Sequence, residues 1–183
     1  MPELPEVEVV KQSLQKYILN KNLLKIKVNI KKLRFPIPVN LSKKLSDLKI
    51  ICINRKSKHV IIKFENYLFL IIHLGMSGTL HLIKNKKNFQ NTNLSFYHSK
   101  NLPKKHNHIF FYFKNFTIIF NDPRRFGYLK LIKGQTNLDN YFRKYGPEPL
   151  EKEFNFRYLK NYLKKKTKSI KNTLMDQYSI SGI

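Results

Sequence analysis

The sequence predicts an α+β protein in which an N-terminal helix lies on an eight-stranded antiparallel β-sandwich and a helical segment follows. Three observations predict this fold. Apolar residues recur at helical spacing near the N-terminus, and short β-rich runs fill the chain from Leu23 to about Ile132. Helical spacing returns after the rigid turn Gly146-Pro147-Glu148-Pro149.

The N-terminal helix is predicted over about residues 5–18. Its apolar positions fall on one face and are Val7, Val10, Leu14, Tyr17 and Ile18. Pro5 suits the first helical position, and Glu6 and Glu8 suit the positive end of the helix dipole. We expect this helix to lie on the core of the sandwich.

The eight predicted strands are short and alternate with turns, which favours antiparallel pairing. Glu65-Asn66 and Lys114-Asn115 are predicted to close two hairpins, and residues 84–107 are predicted to form a long polar loop. The strands are Leu24–Ile30, Leu48–Asn54, His59–Phe64, Tyr67–His73, Thr79–Ile83, Ile109–Phe113, Phe116–Asn121 and Tyr128–Ile132.

The composition indicates a polyanion-binding protein. The 183 residues include 36 Lys and Arg against 11 Asp and Glu, with a net charge of +25 and a pI near 10.1. Nucleic acid is the expected partner, and a membrane surface is the second choice. No apolar leader or run of 18 apolar residues is present, so we expect a cytosolic protein. The one cysteine, Cys52, excludes an internal disulfide and a multi-cysteine zinc site.

The first eight residues, Met1-Pro2-Glu3-Leu4-Pro5-Glu6-Val7-Glu8, hold three of the eleven acidic residues. If Met1 is removed, Pro2 presents a secondary amine that can attack an electrophilic carbon. Glu3 is then close enough to exchange protons with the group that is attacked. The alternative is an ordinary helix start, which explains Pro5, Glu6 and Glu8 but says little about Glu3.

Two glycine-containing loops follow apolar strands. His73-Leu74-Gly75-Met76-Ser77-Gly78 places Met76 at a loop tip, where the thioether either inserts into a base stack or folds back into the core. Asp122-Pro123-Arg124-Arg125-Phe126-Gly127 carries two of the six arginines. Arg124 can hydrogen-bond an orphaned base or a phosphate, and Phe126 can stack or act as a wedge.

Three further basic segments have an ordinary and a functional interpretation. Arg55, Lys56 and Lys58 precede a strand and form either a solvated cluster or a phosphate contact. His106 and His108 could be a metal-binding pair, but no cysteine or acidic residue stands nearby in the sequence, which argues against metal binding. The lysine run at residues 164–171, which includes Lys165, is by default a solvated helix face.

These motifs occur in an order that resembles the formamidopyrimidine-DNA glycosylases of the Fpg/Nei family. They are PELPEVE, the Lys58 segment, HLGMSG, KHNH, DPRRFG, GPEPL and KKKT…LMDQ. The resemblance implies catalysis by Pro2, Glu3 and Lys58, DNA contacts by His106, Arg124 and Lys165, and a base-stack wedge of Met76 and Phe126. The implied function is removal of oxidised purines from double-stranded DNA, with cleavage of the abasic strand, by a monomeric, nucleoid-associated bacterial enzyme.

The resemblance also implies a domain organisation. Residues 1–133 correspond to the catalytic β-sandwich domain, 134–150 to a linker and 151–183 to the start of a helix-two-turn-helix domain. The family's remaining helices and four-cysteine zinc hairpin are absent from this sequence, so no metal or other cofactor is expected in the chain. Two alternatives remain open: an inactive relic that binds DNA by charge, and an unrelated basic nucleic-acid-binding protein.

Overall fold

The computed structural model describes residues 2–84, 92–93, 102–164 and 166–183. Five helices and nine strands occur in this part of the chain, besides a short 3₁₀ turn at Glu65–Tyr67. The helices are α1 (Leu4–Ile18), α2 (Leu41–Leu45), α3 (Gln135–Phe142), α4 (Phe156–Leu163) and α5 (Ile170–Leu174). The strands are β1 (Lys25–Val28), β2 (Ile50–Lys56), β3 (His59–Phe64), β4 (Leu68–His73), β5 (Thr79–Lys84), β6 (Thr92–Asn93), β7 (Asn107–Tyr112), β8 (Phe116–Asn121) and β9 (Tyr128–Lys133).

The strands form two antiparallel sheets, which confirms the predicted sandwich. One sheet has the order β1-β7-β8-β5-β6, and the other has the order β2-β3-β4-β9. Both predicted hairpins are present, since β3 pairs with β4 and β7 pairs with β8. The strand β6 was not among the eight predicted ones, because it is two residues long and lies within the polar stretch 84–107. The rest of the predicted loop, 85–91 and 94–101, lies outside the described residues.

One apolar core joins the N-terminal helix to both sheets. Val7, Val10, Leu14 and Ile18 of α1 are buried in the same cluster as the inward-facing residues of the strands. These are four of the five positions that the helical spacing marked, and the fifth, Tyr17, packs at the edge of the cluster. This packing fixes the direction of α1 and therefore the position of its N-terminal end.

A smaller core covers the outer face of the four-stranded sheet. Ile61, Phe69 and Ile71 on that face contact Leu138 and Phe142 of α3. Helix α3 falls within residues 134–150. The role of this range as an interdomain linker stays a prediction. Because β3 and β4 are covered on both faces, they are apolar nearly throughout rather than alternating.

The C-terminal segment folds back onto the start of α1. The backbone N–H of Leu4 donates to the carbonyl of Gly182 (2.8 Å), and the N–H of Ser181 donates to the carbonyl of Pro147 (3.0 Å). Ile180, which belongs to this segment, is fully buried. Among the described residues, none of the helices combines the length and the apolar character that a membrane span requires.

Candidate active site and nucleic-acid interface

The N-terminal tip of α1 carries Pro2 and Glu3. Pro2 is half-buried and Glu3 is exposed. The backbone N–H of Glu3 donates to the carboxylate of Glu6, which satisfies one of the free N–H groups at the helix start. The bond from Leu4 to Gly182 holds the same tip from the other side. The two residues before the helix therefore have a defined backbone direction.

Lys58 lies beside this tip and is only 5% exposed. The prediction of a solvated charge cluster is therefore wrong for Lys58. Burial lowers the pKa of its ammonium, and the negative charges of Glu3 and Glu6 oppose part of that shift. A buried lysine with a lowered pKa has a larger neutral fraction at a given pH, and neutral amines accept protons. The fold thus brings Lys58 and the Glu3 carboxylate, distant in sequence, into one electrostatic site.

Glu148 fixes the turn that carries Lys58. This buried carboxylate accepts hydrogen bonds from the Ser57 backbone N–H and from the Ser181 hydroxyl (3.2 Å), and it pairs with the Arg55 guanidinium at 2.6 Å. Arg55 also bonds Glu8 of α1 at 3.1 Å. Ser57 has a left-handed φ of 53°, a conformation that costs free energy for a residue with a side chain. The hydrogen bonds of Glu148 to the Ser57 N–H and to Arg55 hold the Ser57 backbone in this conformation.

Gln177 provides a second link between the same segments. Its side-chain oxygen accepts from the Ser57 hydroxyl (3.0 Å) and from the Gly182 N–H (2.8 Å). Sequence reasoning missed both Glu148 and Gln177 as parts of the site. A usable signal existed for Glu148, because it is one of few acidic residues in a strongly basic chain and stands between two prolines. Gln177 is the last residue of the KKKT…LMDQ motif, but nothing in the sequence alone connects it to Lys58.

The two predicted recognition loops are joined directly to each other. The Ser77 hydroxyl donates to the Asp122 carboxylate (2.6 Å), and the same hydroxyl accepts from the Arg124 N–H (3.2 Å). Asp122 also accepts from the N–H of Gly127 (2.8 Å). Gly75 has φ of +67°, and a Cβ at Gly75 would lie 2.4 Å from the Gly127 nitrogen. The loops therefore approach closely only because Gly75 has no side chain.

The tips of these loops present side chains to solvent. Met76 is 42% exposed and Phe126 is 45% exposed, and Arg124 is exposed as well. The alternative in which Met76 fills the core is therefore wrong. An apolar pair beside an arginine, on backbone held by buried hydrogen bonds, suits insertion into a base stack.

His106 stands next to the second loop. Its carbonyl accepts the N–H of Asp122 (3.1 Å), and its backbone has a left-handed φ of 67°. The side chain of His106 is exposed, whereas His108 is buried and donates its Nε2–H to the Asp122 carbonyl (2.9 Å). The two histidine rings nevertheless lie close together, with centroids 6.3 Å apart, so they are not on opposite faces of a strand. Lys165, predicted as a DNA contact, lies outside the described residues.

The chain matches the family model described as the formamidopyrimidine-DNA glycosylase N-terminal domain over residues 1–129. The chain belongs to the formamidopyrimidine-DNA glycosylase (Fpg) family. This confirms the resemblance inferred from the motifs and excludes the alternative of an unrelated basic protein.

Fpg relatives and structures align along the whole chain. The formamidopyrimidine-DNA glycosylases of Wolbachia pipientis (strain wPip) and Zymomonas mobilis are 39% and 38% identical over 100% of this chain. The chain spans 62% and 63% of those two relatives. Lactococcus lactis Fpg in complex with abasic-site DNA matches 99% of the chain with a TM-score of 0.83 and 29% identity, and the chain covers 62% of that protein. A complex of the same Fpg with DNA containing N7-benzyl-Fapy-dG gives a TM-score of 0.84 at 29% identity, over 100% of this chain and 63% of that one.

Beside Lys58 the Fpg chain contains a buried network of histidine and tyrosine. His59 Nε2 bonds the Tyr128 hydroxyl at 2.6 Å, and that hydroxyl bonds Tyr141 at 3.0 Å. Burial lowers the pKa of His59 to about 3, so its ring is neutral at pH 7. Because His59 Nδ1 faces the Lys56 carbonyl, Nδ1 carries the proton and Nε2 accepts from Tyr128. Burial also raises the pKa of Tyr128, which therefore stays protonated.

His73 is neutral and has a defined tautomer. Burial, with the nearby Arg34 and Lys58 cations, lowers its pKa to about 4. Its Nδ1 accepts the Gly75 N–H (3.0 Å), so the ring proton is on Nε2. The ring stacks on Tyr128 with centroids 5.0 Å apart. His73 thus connects the Lys58 region to the loop of Met76, and motif reasoning did not identify it.

Metal ligation has no candidate in the described part of the chain, where no three His, Cys, Asp or Glu side chains are grouped to hold an ion.

Proposed function

We propose that this chain carries the chemistry of a DNA glycosylase and abasic-site lyase that acts as a monomer on double-stranded DNA containing oxidised purines, such as 8-oxoguanine and formamidopyrimidines. The observation that carries the proposal is the placement of the Glu3 carboxylate and the buried Lys58 amine at the chain end that bears Pro2. The relatives named formamidopyrimidine-DNA glycosylase support the choice of substrate.

In the proposed reaction, the Pro2 amine attacks C1′ of the flipped nucleotide. The bond between C1′ and the base breaks, and the base leaves with the electron pair and takes up the proton that the proline nitrogen loses. Glu3 protonates the sugar ring oxygen, so that the ring opens and an iminium forms between C1′ and the proline nitrogen. Neutral Lys58 then assists removal of a C2′ proton, and the 3′ phosphate leaves by β-elimination. In this scheme Lys58 acts in its neutral form, which its lowered pKa favours.

DNA distortion is the proposed role of the two joined loops. Extruding a nucleotide costs about a few kcal/mol, which contacts made only to the bent duplex must offset. Met76 and Phe126 fill the vacated space, Arg124 contacts the orphaned base, and His106 contacts a phosphate. Lys165 is proposed as a further phosphate contact on the basis of the family motif alone.

Borohydride trapping on duplex DNA containing 8-oxoguanine tests the catalytic proposal. A covalent adduct forms only if the amine reaches C1′, and Pro2→Gly abolishes or strongly reduces it. Glu3→Gln strongly reduces trapping on 8-oxoguanine. Equal trapping by Glu3→Gln contradicts the acid role of Glu3. Mass spectrometry of the intact chain shows in parallel whether Met1 has been removed.

A second candidate function is binding of DNA by charge alone. The net charge of +25 favours it. This function predicts affinity that falls steeply with salt and does not distinguish 8-oxoguanine from guanine. If no adduct forms and the binding does not distinguish 8-oxoguanine from guanine, the result supports binding of DNA by charge alone.

A further inference from the structure

Two lysines and two aromatic residues form a strip on the outer face of the five-stranded sheet. The strip, called here the β1–β7 strip, consists of Lys25 and Lys27 on β1 and Phe110 and Tyr112 on β7. The antiparallel register pairs Lys25 with Tyr112 and Lys27 with Phe110. The residues between them, Ile26 and Phe111, are buried in the main core. Because neighbouring residues of a strand point to opposite faces, the strip points away from that core.

The two rings of the strip form one aromatic surface. Phe110 and Tyr112 lie nearly parallel, with centroids 6.4 Å apart and an interplanar angle of 16°. Both rings are half-buried, so part of each is open to solvent. Aromatic side chains on the surface of a sheet can hold successive bases of an unpaired strand, each base stacking on one ring.

Positive charge flanks the rings on one side. β1 is an edge strand of its sheet, and both Lys25 and Lys27 are exposed. Helix α2 lies along this edge, where the Ser42 hydroxyl accepts the Ile26 N–H (3.2 Å), and it adds two more exposed lysines. None of the elements β1, α2, β7 and β8 contains an acidic residue. The field over the strip therefore favours an anion.

The accessible part of this face is narrow. On β8, Ile119 pairs with Phe110 and Thr117 pairs with Tyr112, and both β8 residues are buried. The strip is therefore two strands wide and ends at the edge of the sheet. Its rings can reach the faces of bases only where those bases are unpaired and unstacked, which favours a single strand over a duplex.

The strip extends away from the recognition loops. β7 begins at Asn107, next to His106, and the Asn29 N–H at the end of β1 donates to the His108 carbonyl (2.8 Å). Tyr112 lies six residues beyond His106, which is about 20 Å at the usual rise of a strand. The strip is thus separate from the residues proposed for catalysis and for the base-stack wedge.

We propose that the β1–β7 strip binds single-stranded DNA, with bases against the rings of Phe110 and Tyr112 and phosphates against Lys25 and Lys27. An aromatic pair alone suits many apolar partners, and a pair of lysines alone suits any polyanion. A ring directly opposite a lysine, repeated twice along the same strands, matches the base and the phosphate of successive nucleotides. The choice of DNA rather than RNA rests on the proposed function, because the strip leads away from the loops proposed to hold DNA. Binding of a single strand does not rest on it.

Fluorescence anisotropy of a labelled oligothymidylate, titrated with the intact chain at about 0.15 M salt, tests the role of the rings. Tyr112→Leu keeps apolar bulk but removes the ring, and we expect it to weaken binding at least about fivefold. Tyr112→Phe keeps the ring and is expected to bind like the unmodified chain. The control is Tyr67→Leu, at an exposed tyrosine in the turn between β3 and β4. A loss in Tyr67→Leu as large as in Tyr112→Leu, or an equal loss in Tyr112→Phe, overturns the proposal.

The salt dependence of the same binding tests the role of the lysines. Each phosphate contact to a single strand adds about 0.7 to the slope of log affinity against log salt concentration. Lys25→Ala combined with Lys27→Ala is therefore expected to reduce the slope by about 1.4. Lys133→Ala combined with Lys152→Ala removes two exposed lysines outside the strip and is expected to reduce it less. Equal reductions in the two double variants overturn the proposal, because general surface charge then explains the binding.

Photo-crosslinking with an oligonucleotide that contains 5-iododeoxyuridine locates the bound strand. We expect mass spectrometry to find the crosslink on the β7 peptide that contains Phe110 and Tyr112. Crosslinks confined to the loops at residues 73–78 and 122–127 overturn the proposal. This binding needs neither a lesion nor the Pro2 amine, so Pro2→Gly is expected to keep the β7 crosslink. A β7 crosslink without borohydride trapping in the unmodified chain contradicts the proposed function alone, and trapping without that crosslink contradicts this proposal alone.

Two competitors test the identity of the partner. Polyglutamate of equal charge is expected to displace the oligothymidylate poorly, because it has no bases to stack on the rings. Displacement by polyglutamate at equal concentration overturns the proposal in favour of an acidic protein partner. Oligouridylate is expected to bind no more tightly than oligothymidylate, and tighter binding of oligouridylate overturns the choice of DNA.

Discussion

Glu148 accepts a hydrogen bond from the backbone N–H of Ser57, the residue that precedes Lys58. The same carboxylate bonds Arg55 at 2.6 Å, and Arg55 bonds Glu8 of α1 at 3.1 Å. One buried acid therefore joins the GPEPL turn, the lysine and the helix that carries Pro2. The geometry of the candidate active site depends on segments from both ends of the chain.

Glu148→Ala is expected to lower the free energy of unfolding by about 2–4 kcal/mol. The change leaves a partly buried guanidinium without one of its acceptors and removes the bond that holds the left-handed Ser57. Urea unfolding followed by circular dichroism measures the loss. Glu153→Ala, at an exposed position, is the control and should change stability by less than about 0.5 kcal/mol. Similar effects of the two changes contradict this role of Glu148.

Lys58→Arg is expected to keep affinity for abasic-site DNA while slowing β-elimination by tenfold or more. Arginine preserves the positive charge but does not release its proton at ordinary pH, whereas burial lowers the pKa of Lys58 and favours the neutral amine. Gel-based strand cleavage after pre-formation of the Schiff base measures the rate, and titration of uncleaved DNA measures affinity. Unchanged cleavage by the variant shows that only the charge of Lys58 matters.

Stability is expected to fall as the pH decreases from about 6.5. The folded-state pKa values of His59 and His73, about 3 and about 4, lie below the usual 6.5. The unfolded chain therefore binds more protons in this window, and stability rises with pH up to about 6.5 and is lost below it. Each histidine contributes a slope of about 1.4 kcal/mol per pH unit at most.

Urea unfolding between pH 5 and 7 measures that slope, above the range in which ordinary carboxylates titrate. Burial also lowers the pKa of His108, so His59→Gln is expected to reduce the slope by about a third to a half, even if the variant is less stable at every pH. A slope that is the same in His59→Gln and in the unmodified chain excludes His59 as its source.

Met76→Ala combined with Phe126→Ala is expected to weaken binding to abasic-site duplex by about fivefold or more without loss of stability. The two side chains are exposed, so their removal leaves the core intact, and the loss of affinity reports their proposed contacts with DNA. The fluorescence of 2-aminopurine opposite the abasic site reports whether the gap in the stack is filled. Tyr67→Ala is the control for loss of an exposed aromatic ring, and an equal effect there contradicts the wedge.

Gly75→Ala is expected to destabilise the protein more than Gly134→Ala. Both glycines have positive φ, +67° and +86°, so both changes carry a backbone cost, and that cost is the larger at Gly134, whose ψ of 144° is adopted readily only by glycine. Only at Gly75 does the added Cβ meet backbone, 2.4 Å from the Gly127 nitrogen, whereas the nearest atom at Gly134 is 3.9 Å away. Because the backbone cost is larger at Gly134, a greater loss of unfolding free energy at Gly75 reports the close contact between the recognition loops, and a smaller loss at Gly75 contradicts it.

The spacing of apolar residues and the positions of turn residues were sufficient to predict most of the fold. The spacing of Val7, Val10 and Leu14 predicted α1, and the hairpin residues predicted how β3 pairs with β4. These features depend on which side chains share a face of one element, and periodicity records that directly. The two-residue strand β6 was missed because so short a segment has no periodicity.

Part of the site was also predictable. The motifs singled out Pro2, Glu3, Met76 and Phe126 as residue types suited to attack, proton transfer and insertion into a base stack. Their roles stay proposals. Lys58 was selected by its family motif, but its burial was not expected, since lysines in so basic a chain are usually solvated.

The sequence by itself determined the order of the elements, the positions of the turns, the positive charge and the motifs that identify the family. Only the tertiary structure decided that Lys58 is buried beside Glu3, that Glu148 and Gln177 tie the C-terminal segment to that lysine, and that His73 connects the Lys58 region to the loop of Met76. Burial and long-range hydrogen bonds depend on how distant segments pack against one another. The identity of a residue and the spacing of its neighbours carry no record of that packing.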